Sequence, residues 1–291
     1  MVPDRAEDEV ICRCSRVTAG DVVSMIANGC NTLDKLAAKS MAGRVCGGCV
    51  PAIKEFLGQG DWMPAVFDCT EPHAPDIRMF RLRLLRGEAK PAIPGQHLVL
   101  QARIGGRWIE RPYTISSASG TPGYYEIVVK REPRGLLSPW LFDSLETSSA
   151  IRVSPPRGSY YLDSDNTADV VFLAGGIGIT PALAMARTYA ASARTWRLHV
   201  DHSVSFKEQA ICDHELGMIA ARSEGITFNL RVTRGDSRLN ASSIEALKER
   251  HPDAQFYLCG SPGYLESVEG LLTQAGIARN RIHVELFSPV G

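Results

Sequence analysis

The chain has 291 residues, with 32 Lys and Arg balanced by 32 Asp and Glu, and 44% of it is hydrophobic. That length predicts two or three domains, and the apolar fraction argues against global disorder. Balanced charge without a long basic run gives no support to nucleic-acid binding. No run of about 18 apolar residues offers a membrane span, and the acidic stretch Met1 to Val10 does not read as a signal peptide. A cytoplasmic protein with neither nucleic acid nor membrane as partner is expected.

Four of the eight cysteines cluster as C-x-C, thirty-one residues, C-x-x-C: Cys12, Cys14, Cys46 and Cys49. In a reducing compartment such clusters are more often metal ligands than disulfides. Between the pairs, apolar spacing predicts helices over Thr18–Asn28 and Leu33–Ala42, with a third over Pro51–Leu57. Thr18 with Asp21 reads as a capping box and Gly29 as a helix stop. A module this small lacks a strong core, and a metal site would stabilise it. C-x-C is tighter than the usual structural-zinc pair. Four thiolates suit a 2Fe–2S cluster, and spacing alone leaves zinc open.

The middle of the chain changes period. Alternating segments at Met79–Leu84, Gln96–Gln101, Trp108–Ile115, Tyr124–Lys130 and Ala150–Val153, punctuated by Gly and Pro, predict an antiparallel barrel. Arg111-Pro112-Tyr113-Thr114-Ile115-Ser116-Ser117 combines a phosphate-binding fork, a stacking face and hydroxyls. Gly135-Leu136-Leu137-Ser138 opens a predicted helix over Leu136–Leu145, a second candidate anion site.

From Val170 the chain alternates strand and helix, which predicts a parallel doubly wound sheet. The strand candidates are Val170–Ala174, Trp196–Asp201, Thr227–Val232, Gln255–Cys259 and Ile282–Glu285. Gly175, Gly176 and Gly178 follow the first strand, with Thr180 expected as N-cap and Pro181 at the first helical position. Gly-rich turn and helix start together make a candidate phosphate site. Gly260 lies just beyond a later strand end, where such sheets bind ligands.

Two resemblances organise these motifs. Ile11-Cys12-Arg13-Cys14 with Gly43-Arg44-Val45-Cys46-Gly47-Gly48-Cys49 resembles the bacterioferritin-associated ferredoxin module, which implies a 2Fe–2S cluster on Cys12, Cys14, Cys46 and Cys49. Residues 62 to 291 resemble the ferredoxin–NADP reductase superfamily. That resemblance implies FAD across a six-stranded Greek-key barrel. Arg111 would contact the pyrophosphate, Tyr113 would stack on the isoalloxazine beside Pro112, and Thr114 would approach the flavin N5. Ser116, Val128 and Lys130 would line the ribityl and adenosine side, and Gly135, Leu137 and Ser138 the pyrophosphate turn. Gly175, Gly176, Gly178, Ile179 and Thr180 would face the nicotinamide dinucleotide, and Cys259-Gly260 would lie near its reacting carbon. Phe287 would cover the flavin face, and Thr114, Cys259 and Phe287 form the expected catalytic set. Relatives often carry an Arg near Ser205 for a 2′-phosphate, and none stands here, which favours NADH over NADPH; Lys207, Arg231 and Arg234 are the possible substitutes.

The expected architecture is therefore multidomain: a small all-α iron–sulfur module over 1–60, an antiparallel Greek-key β-barrel for FAD over 61–165, and an α/β doubly wound parallel sheet for NAD(P) over 166–291. Such an assembly converts a hydride into single electrons for a one-electron protein acceptor, expected to be an oxygenase component, Rieske-type or other. Iron mobilisation, a subunit of a larger dehydrogenase, and a zinc-holding redox-sensing module are the alternatives. Residues 1 to 60 hold seven basic and seven acidic residues, so the totals betray no docking partner.

Overall fold

The computed structural model describes residues 5–30, 32–57, 62–85, 88–121, 123–143, 151–192, 195–235 and 237–286. It divides into two compact units, Met1–Trp62 and Met63–Gly291.

In the first unit β1 (Val10–Cys12) and β2 (Val17–Thr18) pair antiparallel across a turn in which Arg16 takes φ 54°. This ribbon is an addition to the three expected helices. Two- and three-residue strands are too short to leave a period in the sequence. Thr18 then caps α1 (Ala19–Ala27): its hydroxyl accepts from the Asp21 N–H, and the Asp21 carboxylate accepts from the Thr18 N–H. Helix α2 (Leu33–Ser40) starts at the Thr32 cap and ends with Met41 at φ 61°; α3 (Val50–Phe56) starts directly after Cys49. Val22, Leu36 and Ile53, one from each helix, are fully buried together with Cys12 and Cys49.

The second unit begins with β3 (Met63–Ala74) and β4 (Ile77–Leu84), followed by β5 (His97–Ile104), β6 (Arg107–Thr114), β7 (Tyr124–Lys130), α4 (Leu137–Asp143) and β8 (Ile151–Val153). The six strands form one antiparallel sheet in the order β6-β5-β8-β3-β4-β7, and an Ile115–Ile127 bridge with the Ser116 N–H to Glu126 carbonyl bond (2.8 Å) curls its ends together. The long β3 is an addition to the expected segments, and it contains Pro64 and Pro72, residues that disfavour a strand interior. The structure absorbs Pro72 where β3 pairs only with β4, at a register shift between Pro72 and Ala74. Helix α4 starts one residue later than expected; Leu145 and Ala150, the expected bounds of the helix and the next strand, lie outside the described residues.

The parallel sheet comprises β9 (Val170–Gly175), β10 (Leu198–Val204), β11 (Ile226–Val232), β12 (Gln255–Gly260) and β13 (Ile282–Leu286), in the order β11-β10-β9-β12-β13. It is flanked by α5 (Thr180–Ala190), α6 (Asp213–Arg222), α7 (Ala241–Arg250) and α8 (Pro262–Gln274). The strand order reverses beside β9, so the crevice at the C-terminal ends of β9 and β12 is the place such a sheet binds ligands. Barrel and sheet share one apolar core: Ile77, Met79, Val128 and Tyr160 pack with Phe172, Ile179 and Tyr257. The Tyr160 hydroxyl donates to the Leu258 carbonyl at 3.2 Å and the Tyr257 hydroxyl to the Tyr161 carbonyl at 3.1 Å.

Candidate nucleotide cavities and cysteine centre

Strand β6 carries Arg111 to Thr114 to the barrel edge, where they line a cavity of about 320 Å³. Val128 and Lys130 from β7 and Gly135, Leu137 and Ser138 from the turn into α4 line the same cavity. In that turn the Ser138 hydroxyl accepts from the Glu132 N–H (3.0 Å) and the Gly135 N–H donates to the Glu132 carbonyl (2.8 Å), which fixes a tight loop beside the cavity. Burial pushes the Tyr113 phenol well above its ordinary range, so its ring is presented neutral. Ser116 does not line the cavity: it is fully buried, and its hydroxyl has no partner among the described residues.

A second cavity, of about 640 Å³, lies over the turn after β9 and is lined by Gly175, Gly176 and Ile177 together with Ser205, Gln209 and Arg238. Ile177 and Lys130 line both cavities, so the two adjoin. The turn differs from expectation. A 3-10 turn, Gly176–Ile179, follows β9 directly and places Ile179 at the N-cap. Thr180 is therefore inside the helix rather than its cap, and Pro181 is one position later than expected. The Thr180 hydroxyl is buried without a partner among the described residues.

The glycines here also have steric reasons. A Cβ on Gly178 would lie 2.2 Å from the Cys259 carbonyl oxygen, and one on Gly175 or Gly260 would lie 2.7 Å from the Tyr264 ring. Gly178, Ile179, Thr180, Cys259 and Gly260 are thus close-packed beneath the crevice, and none of the five lines either cavity. Burial drives the Cys259 thiol well above its ordinary pKa, so it stays protonated. Phe287 lies outside the described residues.

Two residues without an expected role line the first cavity, and a third, buried, supports the turn of the second. His97, on β5, lines the first; burial and then the Arg157 charge lower its pKa. Glu285, paired in register with Cys259, lines it too, and burial raises its pKa. Only the pairing of β12 with β13 reveals Glu285, since in sequence it is one alternating residue of a terminal strand. His202, on β10, has Nε2 2.9 Å from the Gly176 carbonyl oxygen, and burial drives its pKa to about 4. Neutral at pH 7, it can donate that proton and hold the turn.

In the first unit the thiols come together in two pairs. Cys14 Sγ lies 3.4 Å from Cys46 Sγ, while Cys12 bonds Cys49 and is felt electrostatically by the other three. Burial opposes ionisation of Cys12, but the Ser15 hydroxyl (3.1 Å), the Cys49 thiol and the Gly43 N–H bring it down to about 7. Burial and then Cys12 push Cys49 up to about 11. The Gly48 N–H lowers Cys46, and Cys46 in turn raises Cys14. Backbone N–H groups already aimed at sulfur are what a thiolate centre needs. Among the described residues no three His, Cys, Asp or Glu side chains are disposed to hold a single ion. Four thiols are the donor number that a two-iron cluster takes.

Comparison with known proteins agrees region by region. Residues 10–59 match the BFD-like [2Fe-2S] binding domain, 67–161 the oxidoreductase FAD-binding domain and 172–270 the oxidoreductase NAD-binding domain. The chain joins an oxidoreductase FAD-binding domain to an oxidoreductase NAD-binding domain, preceded by a BFD-like [2Fe-2S] binding domain. It is 30% identical to a flavohemoprotein of Bordetella pertussis over 237 residues (76% of this chain, 59% of the relative). It is also 30% identical to the glycine betaine monooxygenase reductase subunit of Pseudomonas aeruginosa over 205 residues (67% and 56%). The chain thus spans less than two thirds of the length of these curated relatives. The solved ferredoxin reductase in carbazole 1,9a-dioxygenase shares the fold, with a TM-score of 0.63 at 22% identity over 78% of this chain and 69% of that one.

The residues present fit the cofactors these domains bind. The barrel cavity brings together the guanidinium of Arg111, the aromatic ring of Tyr113 and the tight turn at Gly135, the kinds of group that a pyrophosphate and a flavin ring require. Among the described residues no helix is long and apolar enough to cross a membrane.

Proposed function

We propose that this chain is the NAD(P)H-dependent reductase component of an oxygenase system, with cluster-binding, FAD-binding and NAD(P)-binding domains over 1–60, 61–165 and 166–291. When bound, FAD would accept a hydride from the nicotinamide and release electrons singly to a [2Fe–2S] cluster that carries them one at a time. The observation that supports the reading is that the barrel cavity and the cavity over the Gly-rich turn adjoin at Ile177 and Lys130, as a flavin next to a dinucleotide would require. The names of two relatives, a monooxygenase reductase subunit and a dioxygenase ferredoxin reductase, favour an oxygenase as acceptor.

The chain's residues work by positioning. Arg111 and the Gly135–Ser138 turn would hold the pyrophosphate of FAD, Tyr113 would offer its ring a stacking face, and Thr114 would supply a hydroxyl. His202 fixes the Gly176 carbonyl and with it the floor under the dinucleotide. Glu285 lines the barrel cavity, where burial raises its pKa, and Cys259 packs beneath the crevice as a protonated thiol.

NADH is the preferred donor in this reading. Arg231 is held by Asp201 at 2.8 Å and Arg234 lies over the Phe206 ring at 4.4 Å, while Lys207 does not line the cavity. Anaerobic titration with NADH and NADPH tests the whole reading. The flavin absorbance should bleach first, followed by the electron-spin signal of a reduced [2Fe–2S] cluster, with iron and sulfide in about equal amounts. Flavin reduction with a cluster that stays oxidised breaks the path; zinc without sulfide sinks the assignment of the four cysteines.

A further inference from the structure

The even charge count of the first unit conceals a segregated surface. Segments 10–18 and 35–50 contain all four clustered cysteines and no Asp or Glu. Glu7 and Asp8 stand exposed ahead of β1, and the other described acidic residues have tasks of their own. Glu9 and Glu55 both bridge to Arg5 (2.6 and 3.4 Å), Asp21 completes the α1 capping box, and Asp34 lies in the first turn of α2. Arg13, Arg16, Lys39 and Arg44 are left exposed on the cysteine-bearing segments, without an ion pair among the described residues. Met41 (53%) and Val45 (68%) are exposed between Lys39, Arg44 and Cys46. The thiols divide the same way: Cys12 and Cys49 are buried, while Cys14 and Cys46 are exposed and touch each other. The exposed thiol pair therefore sits on two segments that carry exposed cations and two exposed apolar side chains but no acid.

We propose that this face docks a one-electron protein whose own redox centre opens on an acidic rim. The proposal rests on the reading that the four cysteines hold a cluster. Four like charges around one contact raise the encounter rate of an oppositely charged partner by about 10 to 10³ and repel a basic one. With a Debye length of about 8 Å at physiological salt, that advantage fades as salt rises.

The full chain, reduced with dithionite, is mixed rapidly with ferric cytochrome b5, whose haem edge is acidic, or with ferric cytochrome c, whose haem edge is basic. One electron leaves the cluster and one haem iron goes from ferric to ferrous; no bond or proton is exchanged. The expected second-order rate for cytochrome b5 falls about tenfold between low and high salt. The pair Arg13→Glu and Arg44→Glu lowers it at least about tenfold at low salt and speeds cytochrome c. Lys39→Glu, remote from the cysteines in sequence, gives a smaller drop of about threefold with the cluster's absorption and spin spectra unchanged. A cytochrome b5 rate that ignores salt overturns the proposal, as does Lys39→Glu without effect or a cytochrome c rate lowered by the same charge reversals. Because dithionite loads the cluster without nicotinamide, a failure of NADH to reduce the cluster counts against the electron path and leaves this test intact.

Discussion

Residues 63–291 and the cysteine module hold their folds by different means. The larger unit has apolar cores on both faces of its parallel sheet and inside its curled sheet, with Phe80, Phe172 and Phe256 fully buried. The module has one small core, and two of its buried members, Cys12 and Cys49, are ligand candidates. A core that includes its own metal ligands couples folding to metal loading, and a domain of this size has little burial in reserve. Cofactor sites in the larger unit are built on a scaffold that stands without them, whereas the module's site is part of its scaffold.

The largest expected effect tests that contrast directly. Cys46→Ser breaks the exposed thiol pair, and electron delivery to a protein acceptor should fall by about 10³ or more, equivalent to roughly 4 kcal/mol of barrier. Direct NADH–ferricyanide turnover should largely survive, and the melting transition of the larger unit should stay where it was. Parallel loss of both activities would show that the two regions are not independent in the way their cores imply.

Next in size is a bond network inside the larger unit. Arg187, on α5, donates to Glu126 of β7 (2.6 Å), to the Ser116 carbonyl (3.0 Å) and to both oxygens of Glu215 (2.6 and 2.8 Å). It thereby ties the helix after the Gly-rich turn to the end of the Arg111–Ser116 motif. Arg187→Met should destabilise this unit by about 3 kcal/mol, because it strands the buried Glu126 beside only Arg81. The more exposed Glu215 arm is screened and adds little. Flavin reduction by NADH in rapid mixing should slow with it, and Glu126→Gln in the same background should recover part of the stability. A full-speed hydride step in Arg187→Met would show that the larger unit aligns its two cavities through the shared core alone.

The sequence made some levels of this molecule legible and hid others. Period-two and strand–helix alternation located both sheets, since burial on one or two faces writes directly into residue order. Thr18 with Asp21 announced the α1 cap, because that motif is local. What stayed hidden depends on distant neighbours. The prolines of β3 are tolerated only because of where its partner strands stop. The glycines at 175, 178 and 260 read as openings for a ligand, yet Cys259 and Tyr264 fill the space beside them. Glu285 and His97 reach the barrel cavity through strand pairing, and the two cysteine segments come together only where Cys14 meets Cys46.

His202 gives the larger unit a pH signature of comparable or smaller size. Its folded pKa of about 4 lies below the ordinary value near 6.5. Between these values the unfolded chain binds the proton and the folded chain does not, so stability rises with pH across that window and is lost as pH falls through it. Complete titration is worth at most about 3 kcal/mol. Denaturation of the wild type between pH 6.5 and 4 should show a slope that His202→Gln reduces, and an unchanged slope would place the proton uptake elsewhere.

The smallest expected effect concerns Arg238, which lies on the wall of the dinucleotide cavity with Ser205 and Thr233. The other cations near this wall differ from it: Arg231 is engaged with Asp201 and Arg234 with Phe206. An exposed arginine at a cavity rim reaches a phosphate through its long stem and contributes modestly, because water screens it. If it meets the pyrophosphate, which NADH and NADPH share, Arg238→Ala should raise KM for both by about fivefold, close to 1 kcal/mol, and leave kcat unchanged. If KM rises for NADPH alone, Arg238 serves a 2′-phosphate and the preference for NADH is wrong. The paired KM measurement therefore sharpens the one feature of the larger unit that its scaffold leaves to a single surface side chain.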